Sequence, residues 1–362
     1  MSSVVLILGA GTSKECGAPL MGEFLDVAAD LLRAGDVKET KPHFERVFDT
    51  IGKLQAVHSK SQLDLTNIES IFTALELGNI IKRLPGVDAE EIPQCIASLK
   101  ELIVKTLEIR IRFPTKHSHI GAPRPYDNFT ALLEHLRGNA RPSHSVSVIT
   151  FNYDIAADMA LFRANLGPDY VIEQAPKRYA QIPLMKLHGS LNWASVVDPT
   201  GLKPLHLSNY FQEYSIQGWD EEGSCMLPVG SQLVEYFRKR EKVEVNPEPV
   251  IVPPTWNKAD YHHALTKVWA AAATNLSEAE YIFVIGYSLP DTDAFFRLLY
   301  ALGSVGKSPL RALIVYNPDS TGSVDRRFRE LLGPAAQARY KYRPIPFTEA
   351  IEEINSMFPG RT

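Results

Sequence analysis

Four short segments carry residues able to do chemistry. In Thr150-Phe151-Asn152-Tyr153-Asp154, two polar side chains follow a strand-like stretch, Val146 to Phe151. Asn152 and Asp154 thus sit where ligands bind in open α/β sheets, just past a strand's carboxyl end. An Asx turn that caps a helix starting near Ile155 fits the same residues, and capping and ligand contact can coexist. In Lys186-Leu187-His188-Gly189-Ser190-Leu191-Asn192-Trp193, His188 follows the apolar stretch Leu184 to Leu187. An imidazole there could act as a general base near neutral pH. A structural histidine satisfied by its neighbours fits equally, and Trp193 reads as packing. Gly9-Ala10-Gly11-Thr12-Ser13 follows Val4 to Leu8. Glycines at such a place let backbone amides approach a diphosphate at a helix N-terminus. The segment lacks the third glycine of GxGxxG, so a plain turn is also consistent with it. In Gly286-Tyr287-Ser288-Leu289-Pro290-Asp291, Gly286 and Ser288 could face a phosphate or a ribose. The alternative is a helix start with Asp291 as its cap.

These residues need elements to hold them. Val4 to Leu8 is continuously apolar, as in a strand covered on both faces. Pro19 is expected to open a helix whose apolar face is Leu20, Phe24, Leu25, Ala28, Leu31 and Leu32, with Gly35 as its stop. From about 40 to 137 the chain reads as mostly helical. Thr66 and Glu69 suggest a capping box; further helices are expected from about Ile92 to Arg112 and from about Asp127 to Arg137. This block forms a helical module between the first and second sheet strands. Strand patterns recur at Val146 to Phe151, Leu184 to Leu187, Val250 to Val252 (before Pro253-Pro254), Tyr281 to Ile285 and Arg311 to Tyr316. Helical stretches such as Lys258 to Asn275 and Thr292 to Leu302 lie between several of them. The alternation predicts an α/β fold, Rossmann-like, with a doubly wound, mainly parallel sheet. Residues 195 to 247 are rich in turn formers and receive no assignment. No internal repeat or low-complexity segment is present.

Bulk properties narrow the classes. The 362 residues hold 38 Lys and Arg against 42 Asp and Glu, a formal net charge of -4. That balance gives no global electrostatic footprint for nucleic acid or an anionic membrane. The run Arg238-Lys239-Arg240-Glu241-Lys242 is short and reads as a solvated helix face. The three cysteines, Cys16, Cys95 and Cys225, include no CxxC pair. They support neither a disulfide framework nor a four-cysteine zinc site, which suggests a reducing, cytoplasmic setting. The N-terminal apolar run lacks a basic leader and is too short to span a membrane.

Taken together and in order, GAGTS at 9–13, TFNYD at 150–154, KLHGSLNW at 186–193, IGYSLPDTD at 285–293 and VYNPD at 315–319 resemble the sirtuin superfamily. The resemblance spans about residues 4 to 320. It looks closest to the zinc-less bacterial NAD hydrolases of anti-phage defence. The chain lacks the four-cysteine zinc module of the deacylases. Where deacylases continue GIPDFR, it has Gly17-Ala18-Pro19-Leu20-Met21-Gly22, without the Phe-Arg.

The resemblance implies a single sirtuin-like NAD-binding domain over residues 1–362 and NAD as substrate with no metal. Cleavage of the nicotinamide–ribose bond would pass through an oxocarbenium-like transition state. Asn152 would position the attacking water or the ribose. His188 would contact the ribose hydroxyls and act as base, and Asp154 would orient the nicotinamide end or the loop. Gly9, Ala10, Gly11, Thr12 and Ser13 would cradle the diphosphate; Gly286, Ser288 and Asn317 would hold the adenosine half. A deacylase, an ADP-ribosyl transferase and a non-catalytic NAD- or ADP-ribose-binding module are the alternatives. An unregulated NAD hydrolase would harm its own cell, so the resemblance also implies control by assembly. That control would come from a homo-oligomer, from a HerA-type hexameric ATPase, or less readily from an Argonaute-type partner. The 40–137 module is the candidate oligomer contact or gate, or else a cap that completes the core.

Overall fold

The computed structural model describes residues 2–360, apart from 141–142, 173–180, 196–200, 217–221, 247, 253–261, 292, 304 and 307. In chain order its strands are β1 (Val4–Leu8), β2 (Phe113–Lys116), β3 (His119–Ile120), β4 (Val146–Thr150), β5 (Pro168–Asp169), β6 (Ile182–Lys186), β7 (Gly189–Ser195), β8 (Leu202–Pro204), β9 (Gly223–Cys225), β10 (Pro249–Ile251), β11 (Tyr281–Ile285), β12 (Ala312–Tyr316) and β13 (Tyr340–Arg343).

Seven of them form one sheet in the order β13-β12-β11-β1-β4-β6-β5. Every pairing in it is parallel. β1 is central, and all five of its side chains are fully buried, as its unbroken Val/Leu/Ile sequence requires. Each such side chain contributes about 1.5–3 kcal/mol of burial. From β1 the order runs one way through β4 and β6 and the other way through β11, β12 and β13. The winding therefore reverses at β1 and β11, and such a reversal opens a crevice at the carboxyl edge. Leu8 is in register with both Thr150 and Ile285. Gly9, Phe151 and Gly286 consequently leave the sheet side by side.

Several elements differ from the sequence expectation. Gly9-Ala10-Gly11-Thr12-Ser13 is not an open turn: Ala10–Lys14 is a short helix starting directly after Gly9. The helix expected from Pro19 starts at Phe24, because the chain first turns at Gly17, whose φ is +101°. Gly35 ends it in the left-handed region, as expected. The capping box at Thr66 is replaced by Asn67, whose side chain accepts the Glu69 amide at the start of the helix Ile68–Ile81. The next helix is Ile92–Arg110. The helix Tyr126–Glu134 runs into a wider turn, His135–Asn139.

Val250 lies outside the parallel sheet. β10 pairs antiparallel with β7, and β7 with β8, in a separate three-stranded sheet. The segment after His188 is thus itself a strand. The hairpin β2–β3 joins β9 in a third small sheet, so the region between β1 and β4 is helical with one embedded hairpin. The helices expected from about Lys258 and Thr292 are found as His262–Glu278 and Ala294–Gly303. The expected positions 253–261 and 292 fall outside the described residues. The 195–247 stretch holds β8, β9 and the helices Ser208–Ile216 and Ser231–Tyr236. Among the described residues no helix is long and apolar enough to cross a membrane.

Candidate functional site

The crevice at the carboxyl edge is a cavity of about 680 Å³. Ala10, Gly11, Ser13, Asn152, Asp154, His188, Gly286, Ser288 and Asn317 all line it. Residues from five separated segments therefore meet in one place. Gly9 and Thr12 do not line the cavity; they lie behind its wall. Three amides of the glycine segment are also engaged within the protein. Gly9 donates to the Ile285 carbonyl, Gly11 to that of Gly286, and Thr12 to that of Gly9. The expected cradle is therefore narrower than the five residues proposed for it.

Close approach of two loops explains the glycines. A Cβ on Gly9 would lie 2.5 Å from the Tyr287 Cα, and one on Gly286 would lie 2.6 Å from the Thr12 nitrogen. Gly286 also has φ +64°, a region that L side chains rarely adopt.

Asn152 is buried, at 8% exposure. Its Nδ2 donates to the Gly9 carbonyl (3.1 Å), Thr12 Oγ1 (3.0 Å) and Ser13 Oγ (3.0 Å). The Gly9 carbonyl can only accept, which fixes the amide orientation. Oδ1 then remains a buried acceptor without a partner among the described residues. Such orphaned acceptors are uncommon, because leaving one dry costs about 1–3 kcal/mol. Asp154 differs. Its Oδ2 accepts from Ser13 Oγ at 2.6 Å and its Oδ1 from the Ala156 amide at 2.9 Å. The Asx turn expected from the sequence is present. Burial raises the Asp154 carboxyl above the usual range, opposed by the Ser13 hydrogen bond and the Lys186 charge.

His188 is 3% exposed. Its Nε2 lies 3.7 Å from Asp293 Oδ2, an oxygen that also accepts from Tyr287 Oη at 2.6 Å. Phe151 meets the imidazole edge-on at 5.2 Å and stacks on Tyr287 at 4.0 Å. A carboxylate beside an imidazole stabilises the cation formed when the ring takes a proton, which suits a general base.

Several contributors escaped the sequence reading. Tyr126, from the helix before β4, places its hydroxyl 2.9 Å from Thr12 Oγ1 and 3.2 Å from Ser13 Oγ; no local pattern marks it. Asp293 lay inside the IGYSLPDTD segment, where Asp291 drew the cap assignment. In the structure Asp291 is exposed and pairs with Arg297, whereas Asp293 Oδ1 accepts the Phe296 amide at the helix start. Beneath His188, the fully buried Lys186 donates to the Asp154 carbonyl, Asp158 Oδ2 and Ser190 Oγ. Trp193 is completely buried, as its packing role requires.

No family model and no curated protein sequence matches the chain. Among solved structures it is similar to a Sir2 homologue in complex with NAD, at 14% identity and a TM-score of 0.40, covering 98% of this chain and 89% of that one. It is likewise similar to a mutant Sir2 homologue in complex with ADP-ribose, at 16% identity and a TM-score of 0.42, covering 98% and 91%.

Proposed function

We propose that the chain is an NAD glycohydrolase, converting NAD and water to nicotinamide and ADP-ribose. The observation that carries this reading is the pairing of Asn152 and His188 in one buried cavity. The first offers an acceptor with no partner among the described residues; the second has a carboxylate beside it. Asn152 Oδ1 suits a ribose hydroxyl or the attacking water. The nicotinamide leaves with the electrons of the C1′–N bond, so the cationic ring becomes a neutral product and needs no acid. Water adds to C1′ and its proton passes to His188. Asp154, with both oxygens engaged, holds the loop under the reacting end. Ala10, Gly11 and Ser13 face the diphosphate, and Gly286, Ser288 and Asn317 face the adenosine half. Gly9 and Thr12 support the cradle from behind.

The sirtuin resemblance of the sequence supplies the biological setting. In this reading the chain is an effector of anti-phage defence that depletes NAD. It is switched on by homo-oligomeric assembly or by a partner such as a HerA-type ATPase. The experiment is incubation of the purified chain with NAD, with and without that partner, following nicotinamide and ADP-ribose by chromatography. Asn152→Ala and His188→Ala run in parallel, with melting curves as the folding control. The expected result is release by the wild type and a loss of about 100-fold or more in each variant. Equal turnover in both variants would remove the site. No release with ADP-ribose still bound would favour the non-catalytic module.

A further inference from the structure

The wall opposite the strand ends comes from outside the sheet. Asn67 and Glu69 line the cavity from the first turn of the helix Ile68–Ile81. Asn67 Oδ1 accepts the Glu69 amide at 2.8 Å, which fixes where the Glu69 side chain departs. Its charge is felt at the His188 end. Burial foremost, then Glu69 and Asp293, hold the Tyr153 phenol well above its ordinary value. Burial, Asp293 and then Glu69 do the same to Tyr287. Tyr287 stacks on Phe151, against which His188 rests.

The ionisable side chains lining the cavity divide by position. Lys14 pairs with Glu23. Glu15 accepts from the Phe347 amide and Thr348 Oγ1. Asp319 is engaged by Thr321, Ser323 and Val324 in its own loop. Asp293 lies 3.7 Å from His188, and Glu69 and Asp154 line the same cavity. Arg327 stands on the helix that follows the Asn317 loop, and its Nε is buried without a partner among the described residues. The lining thus carries carboxylates in the company of His188 and a cation, Arg327, on the helix after the Asn317 loop. NAD carries a cationic pyridinium at one end and an anionic diphosphate further along.

We propose that Glu69 is a substrate-facing electrostatic residue of this cleft. Its carboxylate attracts the cationic nicotinamide end of NAD and stabilises the positive charge that gathers at C1′ as the bond to nicotinamide breaks. The inference rests on the reading of the cleft as an NAD site. It also gives the helical segment between β1 and β4 a share in the chemistry.

The test compares three ligands by calorimetry on wild type and Glu69→Gln. Carba-NAD keeps the pyridinium charge but resists cleavage, NADH has a neutral ring, and ADP-ribose lacks the ring. Wild type should prefer carba-NAD over NADH by about tenfold, the scale of a half-buried charge contact. Glu69→Gln should lose that preference, keep its ADP-ribose affinity, and turn over NAD at least about tenfold more slowly in kcat. Glu69→Asp should retain the preference. Should the glutamine variant melt below the assay temperature, Glu69→Ala against Glu69→Asp makes the same comparison. A wild-type preference preserved in the folded neutral variant would overturn the role of Glu69 and leave the NAD reading standing. Failure of all three ligands to bind wild type would overturn both.

Discussion

Lys186 and Asp158 form an ion pair 2.8 Å apart in which each side chain is only 1% exposed. The pair lies under the candidate site, because the same ammonium also holds the Asp154 carbonyl and Ser190 Oγ. Asp158 is held from its other side by the Tyr170 hydroxyl, which itself accepts from Asn192.

Removing one partner of such a pair strands a buried charge. Lys186→Met should destabilise the fold by about 3–5 kcal/mol. Adding Asp158→Asn to it should restore part of the loss, since the carboxylate is then gone. Urea unfolding of the two single variants and the double one measures this. Additive losses would show that the two charges do not depend on each other.

Gly286→Ala should cost more than Gly322→Ala. Both glycines have positive φ, +64° and +75°. A Cβ at Gly322 would meet nothing within 4 Å, whereas one at Gly286 would sit 2.6 Å from the Thr12 nitrogen. Gly322→Ala should lose about 1 kcal/mol from backbone strain alone; Gly286→Ala should lose about 3 kcal/mol or more, and ligand affinity with it. Equal melting temperatures would show that the two loops can part without cost.

The Asp319 carboxyl is held well below the usual range, first by the Thr321 hydroxyl, then by the Val324 amide. A depressed carboxyl stabilises the fold above its unfolded value near 3.9 and loses that contribution as pH falls through the folded value. Asp319→Ala should therefore cost about 1 kcal/mol at pH 7, the scale of a lost helix cap on an exposed loop. The difference from wild type should stay level down to about pH 5 and narrow below about 3.9. Denaturant midpoints across that range decide it, and a gap that widened on acidification would have the wrong sign.

Cys16 should be a poor nucleophile. Burial, then the charges of Asp154 and Glu15, push its thiol far above the ordinary value, and burial pushes Cys225 up to about 11. At pH 8 iodoacetamide should label Cys16 in the native chain about 100-fold more slowly than in the unfolded chain, because the thiolate is the reacting form. Mass spectrometry of quenched time points reads the rate. Comparable native and unfolded labelling would contradict the burial of this sulfur.

The strands at the centre were legible in the sequence because a doubly covered strand leaves an unbroken apolar run. Val4–Leu8 and Tyr281–Ile285 follow from that rule alone, whereas Val146–Thr150 is strand-like but carries Ser147 and Thr150. The residues just past their ends were legible from the change of residue type: Asn152 follows Phe151, and Gly286 ends the apolar run. Contacts made across long sequence distances left no such trace. Tyr126 and Glu69 look like ordinary helical residues until the fold brings the first against Thr12 and Ser13 and the second to the cleft. Nor did the glycine pattern show that the amides of Gly9 and Gly11 are taken by the carbonyls of Ile285 and Gly286 and that of Thr12 by Gly9. β7 was missed because a strand in a small antiparallel sheet follows β6 after only His188 and its neighbour, where a loop is the natural expectation.

Glu15 sits one residue past the short helix that follows β1, yet it takes the amide of Phe347 and the hydroxyl of Thr348 at the start of the final helix, Phe347–Met357. Pro346 and Phe347 also line the cavity that Ala10 lines. The wall of this cleft is therefore completed by residues that are synthesised after every candidate chemical group. During synthesis the nascent polypeptide would carry every candidate chemical group well before it had a closed place to use them. For a protein whose proposed reaction consumes a cofactor its host depends on, that order of events delays the activity until this later segment has been made and docked.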